Sequence, residues 1–90
     1  HHTTPLMRAS QEDHLEVVKF LCEMGASVNR KNIQAMTALM LAAQRGNARV
    51  CQYLIQEGAD LNAMTQQAST SLVLACKRQH LETVEVLVRA

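Results

Sequence analysis

Residues 37–62 read TALMLAAQRGNARVCQYLIQEGADLN, and residues 4–29 read TPLMRASQEDHLEVVKFLCEMGASVN. Shifted by 33 positions, the two stretches lie on each other without a gap. Residues 70–90, TSLVLACKRQHLETVEVLVRA, continue the series in the same register. Thr4, Thr37 and Thr70 coincide, as do Leu6, Leu39 and Leu72, then Ala9, Ala42 and Ala75, then Leu21, Leu54 and Leu87. Gly25 pairs with Gly58, Ala26 with Ala59 and Asn29 with Asn62. A fixed period of this length marks a supersecondary unit stacked on copies of itself.

Working outward from the middle unit, each repeat reads as two short helices and a turn. The repeated threonines are suited to N-cap the first helix, because a hydroxyl accepts from an orphan helix N–H. Pro5 follows where a missing N–H costs nothing. The first helix of the middle unit is expected over 38–45, ended by Gly46 with positive φ. In the first unit Asp13 is expected to cap the second helix, with Glu16 as its capping-box partner. Gly25 and Gly58 end the second helices.

The second helices decide the architecture. Over 15–23 only Glu16, Lys19 and Glu23 are polar; the middle unit repeats this with Arg49, Gln52 and Gln56, and the last with Glu82, Glu85 and Arg89. A lone surface helix shows one apolar stripe. Helices with one thin wet stripe need a sister helix and neighbouring units on both sides, which is the condition for a solenoid. A helix as short as 38–45 is marginal alone and depends on such neighbours.

Bulk composition agrees. Ninety residues make one small domain, 48% hydrophobic but only 2% aromatic, so Leu, Val, Ala, Met and Cys must build the interior. That suits close-packed helices and not strands, which favour β-branched and aromatic residues. The net charge is +1 with no basic block, which gives nucleic-acid binding little support. No apolar run nears the roughly 20 residues of a membrane span. Three cysteines, Cys22, Cys51 and Cys76, are an odd and widely spaced set. They point to reduced thiols in an intracellular, reducing compartment, cytoplasm or nucleus.

These features resemble the ankyrin repeat, a unit of about 33 residues opening on T-P-L-H-x-A. TPLMRA, TALMLA and TSLVLA match the opening, and GASVN (25–29) and GADLN (58–62) resemble the family's closing segment. The resemblance implies an all-α solenoid of helix-turn-helix units with β-hairpin loops. It would comprise repeats 4–36 and 37–69 plus most of a third, 70–90. Some positions depart from the family. Met7, Met40 and Val73 replace its histidine, so a hydrogen-bond network near the Thr is expected to be missing. Ala35 and Ala68 replace the hairpin glycine, so less ideal turns are expected. Gln79 replaces Gly46, which weakens the case for a left-handed residue there. Arg8 resembles the polar outer face of a beginning unit. Ala90 aligns just before a closing glycine, so a fragment of a longer array is expected, with Leu81, Val84 and Leu87 partly uncovered.

Catalytic and metal chemistry find little support. The cysteines are 29 and 25 residues apart with no C-x2-C pair. Cys22 aligns with Ile55 and Val88, Cys51 with Val18 and Val84, and Cys76 with Ser10 and Ala43, so each fills space. His14 and His80 align with Asn47 and read as structural. Ser10, Asp13 and His14 are near in sequence, which does not make a triad. Glu12, Asp13 and Glu16 read as a solvated group favouring a helix start. No cofactor, catalytic residue or small-molecule substrate is indicated.

What remains are the positions that vary between units. In ankyrin proteins hairpin tips and first helices line a concave groove for protein partners. By that resemblance Ile33, Gln34, Met36, Gln44, Arg45, Gln66, Gln67, Lys77 and Arg78 are the partner-binding candidates here, with Lys31, Met64, Ser69, Gln11 and Glu12 beside them. Apolar side chains with an Arg rim suit a protein or peptide ligand. The competing reading for Met36 and Met64 is packing against the next hairpin. The function expected is a protein–protein interaction module; the alternative is a structural spacer whose neighbouring repeats do the binding. The resemblance also implies Asn29 and Asn62 as candidate hydroxylation sites, each with a leucine, Leu21 or Leu54, eight residues earlier. The competing reading is that both asparagines brace the turn.

Overall fold

Six helices follow one another in a computed structural model that describes residues 3–90: α1 (Pro5–Gln11), α2 (Leu15–Glu23), α3 (Ala38–Arg45), α4 (Ala48–Gln56), α5 (Ser71–Lys77) and α6 (Leu81–Arg89). No strand occurs among the described residues. His1 and His2, to which the sequence assigns no role, lie outside the described residues. The helices form three pairs. α1, α3 and α5 pack in order as one layer and α2, α4 and α6 as the other.

Helix starts follow from the repeated threonines. Thr4, Thr37 and Thr70 each accept from the N–H three residues on, at 3.1, 3.3 and 3.3 Å. The expected loss of a network near the threonine is corrected in two units. The N–H groups of Thr4 and Thr37 donate to the sulfurs of Met7 and Met40, both at 3.5 Å. A thioether is a weak acceptor, but it closes the reciprocal capping pattern. Val73 carries no acceptor, so α5 keeps only the hydroxyl half.

Every helix end but that of α6 uses one device. Gly25 and Gly58 stand at φ 92° and 93°. Crossed bonds from Gly25 N–H to Cys22 O and Ala26 N–H to Leu21 O close the last turn, and the next unit repeats them. This is the Schellman arrangement. The first helices end likewise on Asp13, Gly46 and Gln79, at φ 61°, 77° and 59°. Asp13 is therefore no N-cap: His14 stands at that position, without a side-chain cap bond. Glu16 faces Lys19 at 3.9 Å instead of closing a capping box. Gln79 adopts the left-handed conformation despite its side chain. Gly46 has a further constraint, because a Cβ there would lie 2.6 Å from Nδ1 of His80.

The core runs through the middle unit. Leu39, Met40, Ala42, Ala43, Val50, Cys51 and Leu54 are sealed, while Arg49, Gln52 and Gln56 face solvent. Ala42 and Ala43 are small where α1 and α5 flank α3 on either side. α4 thus meets the one-wet-stripe expectation. α2 does not: Val17, whose sister Val50 is fully buried, is 47% exposed, and Phe20 is 59% exposed. No helix among the described residues covers α2 on the side away from α4. Arg8 is exposed, where its sister Leu41 is buried. At the other side Leu81 is 80% exposed and Val84 half-buried. Leu87 was expected to be partly uncovered; it is buried at 6%, held with Leu54 in the core cluster. Burying one such leucine stabilises by roughly 1.5–3 kcal/mol.

Candidate functional site

The segments between helix pairs carry the first group of candidate residues. Their backbone is shaped by side chains that the sequence reading did not single out. Asn32 Oδ1 accepts from the N–H of Gln34 and of Met36, at 2.9 and 3.0 Å. Thr65 Oγ1 does the same for Gln67 and Ser69, both at 3.2 Å. Two backbone bonds close each turn: Asn32 N–H to Met36 O and Ala35 N–H to Asn32 O in the first, Thr65 N–H to Ser69 O and Ala68 N–H to Thr65 O in the second, all at 2.9 Å. The N–H groups of Met36 and Ser69 return to the side chain and not to the backbone, so the loops are tight turns without a strand ladder. Ala35 and Ala68 sit at φ 62° and 63°. That is the less ideal turn expected where glycine is replaced, since a Cβ disfavours this region.

These turns present Ile33, Gln34, Gln66 and Gln67 to solvent, with Ile33 63% and Met64 51% exposed. The Gln66 amide donates to the carbonyl of Ile33 at 3.0 Å and ties one turn to the next. Met36 is half-buried against the core cluster and Ser69 is buried, so both support the turn from below.

The second group lies at the C-terminal ends of the first helices. Arg45, Lys77 and Arg78 are exposed, and Gln11 and Gln44 half-buried. In the first two units the backbone there is pinned from the following unit. Asn47 Nδ2 donates to the carbonyls of Ser10 and Gln11 at 2.9 and 3.0 Å. Nε2 of His80 donates to the carbonyl of Gln44 at 3.0 Å. The structural role expected for His80 is thus a bridge between units, whereas His14 is exposed and makes no such bond. The bridging asparagine and histidine were recognisable only as an alternating position.

The turns and the helix ends form two rims, separated by the length of α3, about 12 Å at 1.5 Å per residue. Between them α3 is buried from Ala38 to Ala43. Each rim is registered unit to unit by hydrogen bonds, so it is pre-organised.

Cys51 is sealed, and burial, with the charge of Asp13 second, pushes its thiol up to about 12. Burial, with Glu57 second, also raises Cys22. All three cysteines are free, Cys76 exposed. Among the described residues no three His, Cys, Asp or Glu side chains gather as a metal-binding group. The Asn29 side chain ties its unit to the next: its amide N–H donates to Gly58 O at 3.1 Å and its Oδ1 accepts from Asp60 N–H at 2.7 Å. Asn62 is exposed, its N–H donating to Asp60 Oδ1 at 2.9 Å. No described helix is long and apolar enough to cross a membrane.

Comparison with known proteins agrees with this geometry. A family model described as ankyrin repeats (3 copies) matches residues 31–90, and one described as ankyrin repeats (many copies) matches residues 6–55. No curated protein matches the sequence significantly. Among solved structures the chain is similar to the human ASB11 ankyrin repeat domain, with 29% identity and a TM-score of 0.92. That match covers 96% of this chain and 39% of the ASB11 chain, so the sequence spans well under half of its structural relative. The chain belongs to the ankyrin repeat family, whose members are in general non-catalytic protein-interaction modules.

Proposed function

We propose that this chain binds a protein or peptide through the concave face bounded by the turn tips and the first-helix ends. The residues proposed to make contact are Ile33, Gln34, Gln66 and Gln67 on one rim and Gln44, Arg45, Lys77 and Arg78 on the other, with Met36 supporting the turn. One observation carries the reading. Positions that recur between units are caps, turn formers or core, whereas Ile33 and Gln66, Gln34 and Gln67, and Arg45 and Arg78 with Glu12 stand at positions freed from those roles and are exposed on the two rims. The balanced charge favours a protein partner over nucleic acid. The free thiols fit a reducing compartment, which we propose as the site of action.

The test is a double substitution, Arg45→Glu with Arg78→Glu, scored for partner affinity and for thermal stability. Both side chains are exposed, so stability should change by less than about 0.5 kcal/mol. Affinity for a protein partner should fall at least about tenfold, or 1.4 kcal/mol. Unchanged affinity, or an unfolded variant, would remove the basis for this site.

A second reading, that repeats 4–36, 37–69 and 70–90 are a spacer within a longer array whose neighbouring repeats carry the binding, is favoured by one feature. Leu72, Val73, Leu81 and Val88 are exposed at the far side of α5 and α6, where Leu39, Met40 and Ala48 of the middle unit are buried. Under that reading the isolated chain captures no specific partner.

A further inference from the structure

We propose that the side of the first unit turned away from the second binds the C-terminal residue of a peptide. Its aliphatic side chain enters a slot beside α1, and its free carboxylate sits on Arg30 and Lys31. The contact residues of the two rims take no part, so this site is additional to the concave face and independent of it.

The slot measures about 200 Å³ and is walled by Pro5, Leu6, Leu21 and Ala26, with exposed Ser27 and Arg30 also lining it. A second cavity of about 490 Å³ shares Thr4 and Arg30 with it and is otherwise lined by Thr3 and Lys31. No acidic residue lines either one. Arg30 and Lys31 are exposed. The ion pairs among the described residues are Lys19–Glu16 and Arg89–Glu85, so neither cation is neutralised. In the middle unit the corresponding Ala38, Leu39, Leu54 and Ala63 are all buried, and Ala63 stands where the first unit has Arg30. Apolar walls beside unpaired positive charge suit an anion that carries a short apolar group.

The repeat itself displays what such a face accepts. On the middle unit the Asn29 carboxamide arrives from the first unit, its Oδ1 accepting from Asp60 N–H at 2.7 Å and its Nδ2 donating to Gly58 O at 3.1 Å. The sister groups in the first unit are Ser27 N–H and Gly25 O, and neither makes a hydrogen bond among the described residues. The last residue of a peptide carries the matching pair. A carboxylate oxygen accepts from Ser27 N–H, and the residue's own N–H donates to Gly25 O. Arg30 favours a carboxylate over a neutral amide, because a guanidinium holds a carboxylate by charge-assisted, paired bonds. Size limits the side chain. An apolar cavity of about 150 Å³ takes one benzene, so the slot takes one leucine, isoleucine or valine side chain and excludes a long acyl tail. A peptide end therefore fits better than a lipid.

The experiment is an NMR titration of the isotopically labelled chain with four ligands. They are acetyl-Gly-Ser-Gly-Leu with a free carboxylate, the same peptide amidated at its C-terminus, its alanine-terminated counterpart, and 4-methylpentanoate. The last has the leucine side chain and a carboxylate but no N–H. The free-acid leucine peptide should shift the amides of Ser27, Arg30 and Lys31. It should bind at least about tenfold tighter than the other three and weaken with salt. Arg30→Ala, which installs the middle unit's own residue, should abolish the preference for acid over amide and leave the helical circular dichroism unchanged, since Arg30 is exposed. No shift at these amides, equal affinity for acid and amide, or 4-methylpentanoate binding as tightly as the peptide overturns the proposal. So does a dependence of the Ser27 and Arg30 shifts on chain concentration without peptide, which would give this face to a second copy.

Discussion

Thr83 is fully buried in α6, yet its hydroxyl has no hydrogen-bond partner. The repeat supplies the natural comparison: its sister in α4 is Val50, equally buried. Thr83→Val exchanges a hydroxyl for a methyl of the same shape, and the two residues have similar helix propensity. A buried, unpaired polar group costs about 1–3 kcal/mol, so the substitution should stabilise by about 1–2 kcal/mol. For a chain of this size each kcal/mol moves Tm by about 4–8 °C, which predicts a rise of between about 4 and 16 °C. Urea unfolding followed by helical circular dichroism should show a higher midpoint at constant slope. The mirror change, Val50→Thr, should cost a similar amount. An unchanged or lowered midpoint for Thr83→Val would refute the reasoning. It would mean that the hydroxyl is satisfied, for instance by a main-chain carbonyl one turn back.

The other predictions concern strained and close-packed positions. Ala35→Gly and Ala68→Gly relieve a left-handed conformation costing about 1–2 kcal/mol and give back about 0.4–1 in unfolded-chain entropy, so each should raise stability by roughly 0.5–1 kcal/mol in urea titrations. Gly46→Ala should cost about 2–3 kcal/mol, from backbone strain plus the displaced His80 bridge. In a double-mutant cycle with His80→Ala the two costs should be sub-additive, and strict additivity would contradict the contact. Cys51 should react with thiol reagents only on unfolding, while exposed Cys76 reacts at once. Burial raises the Cys51 thiol to about 12 from an ordinary 9.0, so the stabilising contribution of Cys51 is whole below pH 9 and lost as pH rises toward 12. The stability difference between the chain and Cys51→Val should therefore shift against the native residue above pH 9, by up to about 1.4 kcal/mol per pH unit.

Most of the fold was legible because a repeat reads its own alignment. The span of α3, the threonine caps, the closing glycines and the apolar roles of Cys22 and Cys51 all follow from comparing sister positions. What escaped lay in backbone geometry and in contacts between units. Asp13 reads as a cap because its side chain suits one, but the Schellman turn needs a left-handed residue there. Gln79 shows the same turn imposed on an unfavourable residue. Gly46 is glycine for a reason no single unit contains, the ring of His80 arriving from the next one. The methionine thioethers substitute for a stronger acceptor, which residue type alone does not disclose. Of the candidate site, exposure separates Ile33, Gln34, Gln66, Gln67, Arg45, Lys77 and Arg78 from the half-buried Met36 and Gln44, a distinction that depends on how each turn and helix end packs.

The central claim is that the two rims, and not the outer helices, grip another protein. Photo-crosslinking side chains placed at Gln34, Gln44 and Gln67, with controls at Glu16, Gln52 and Glu85 on α2, α4 and α6, test it directly once a partner is identified. Adducts from the first three alone are the predicted result. Adducts confined to the controls would contradict it.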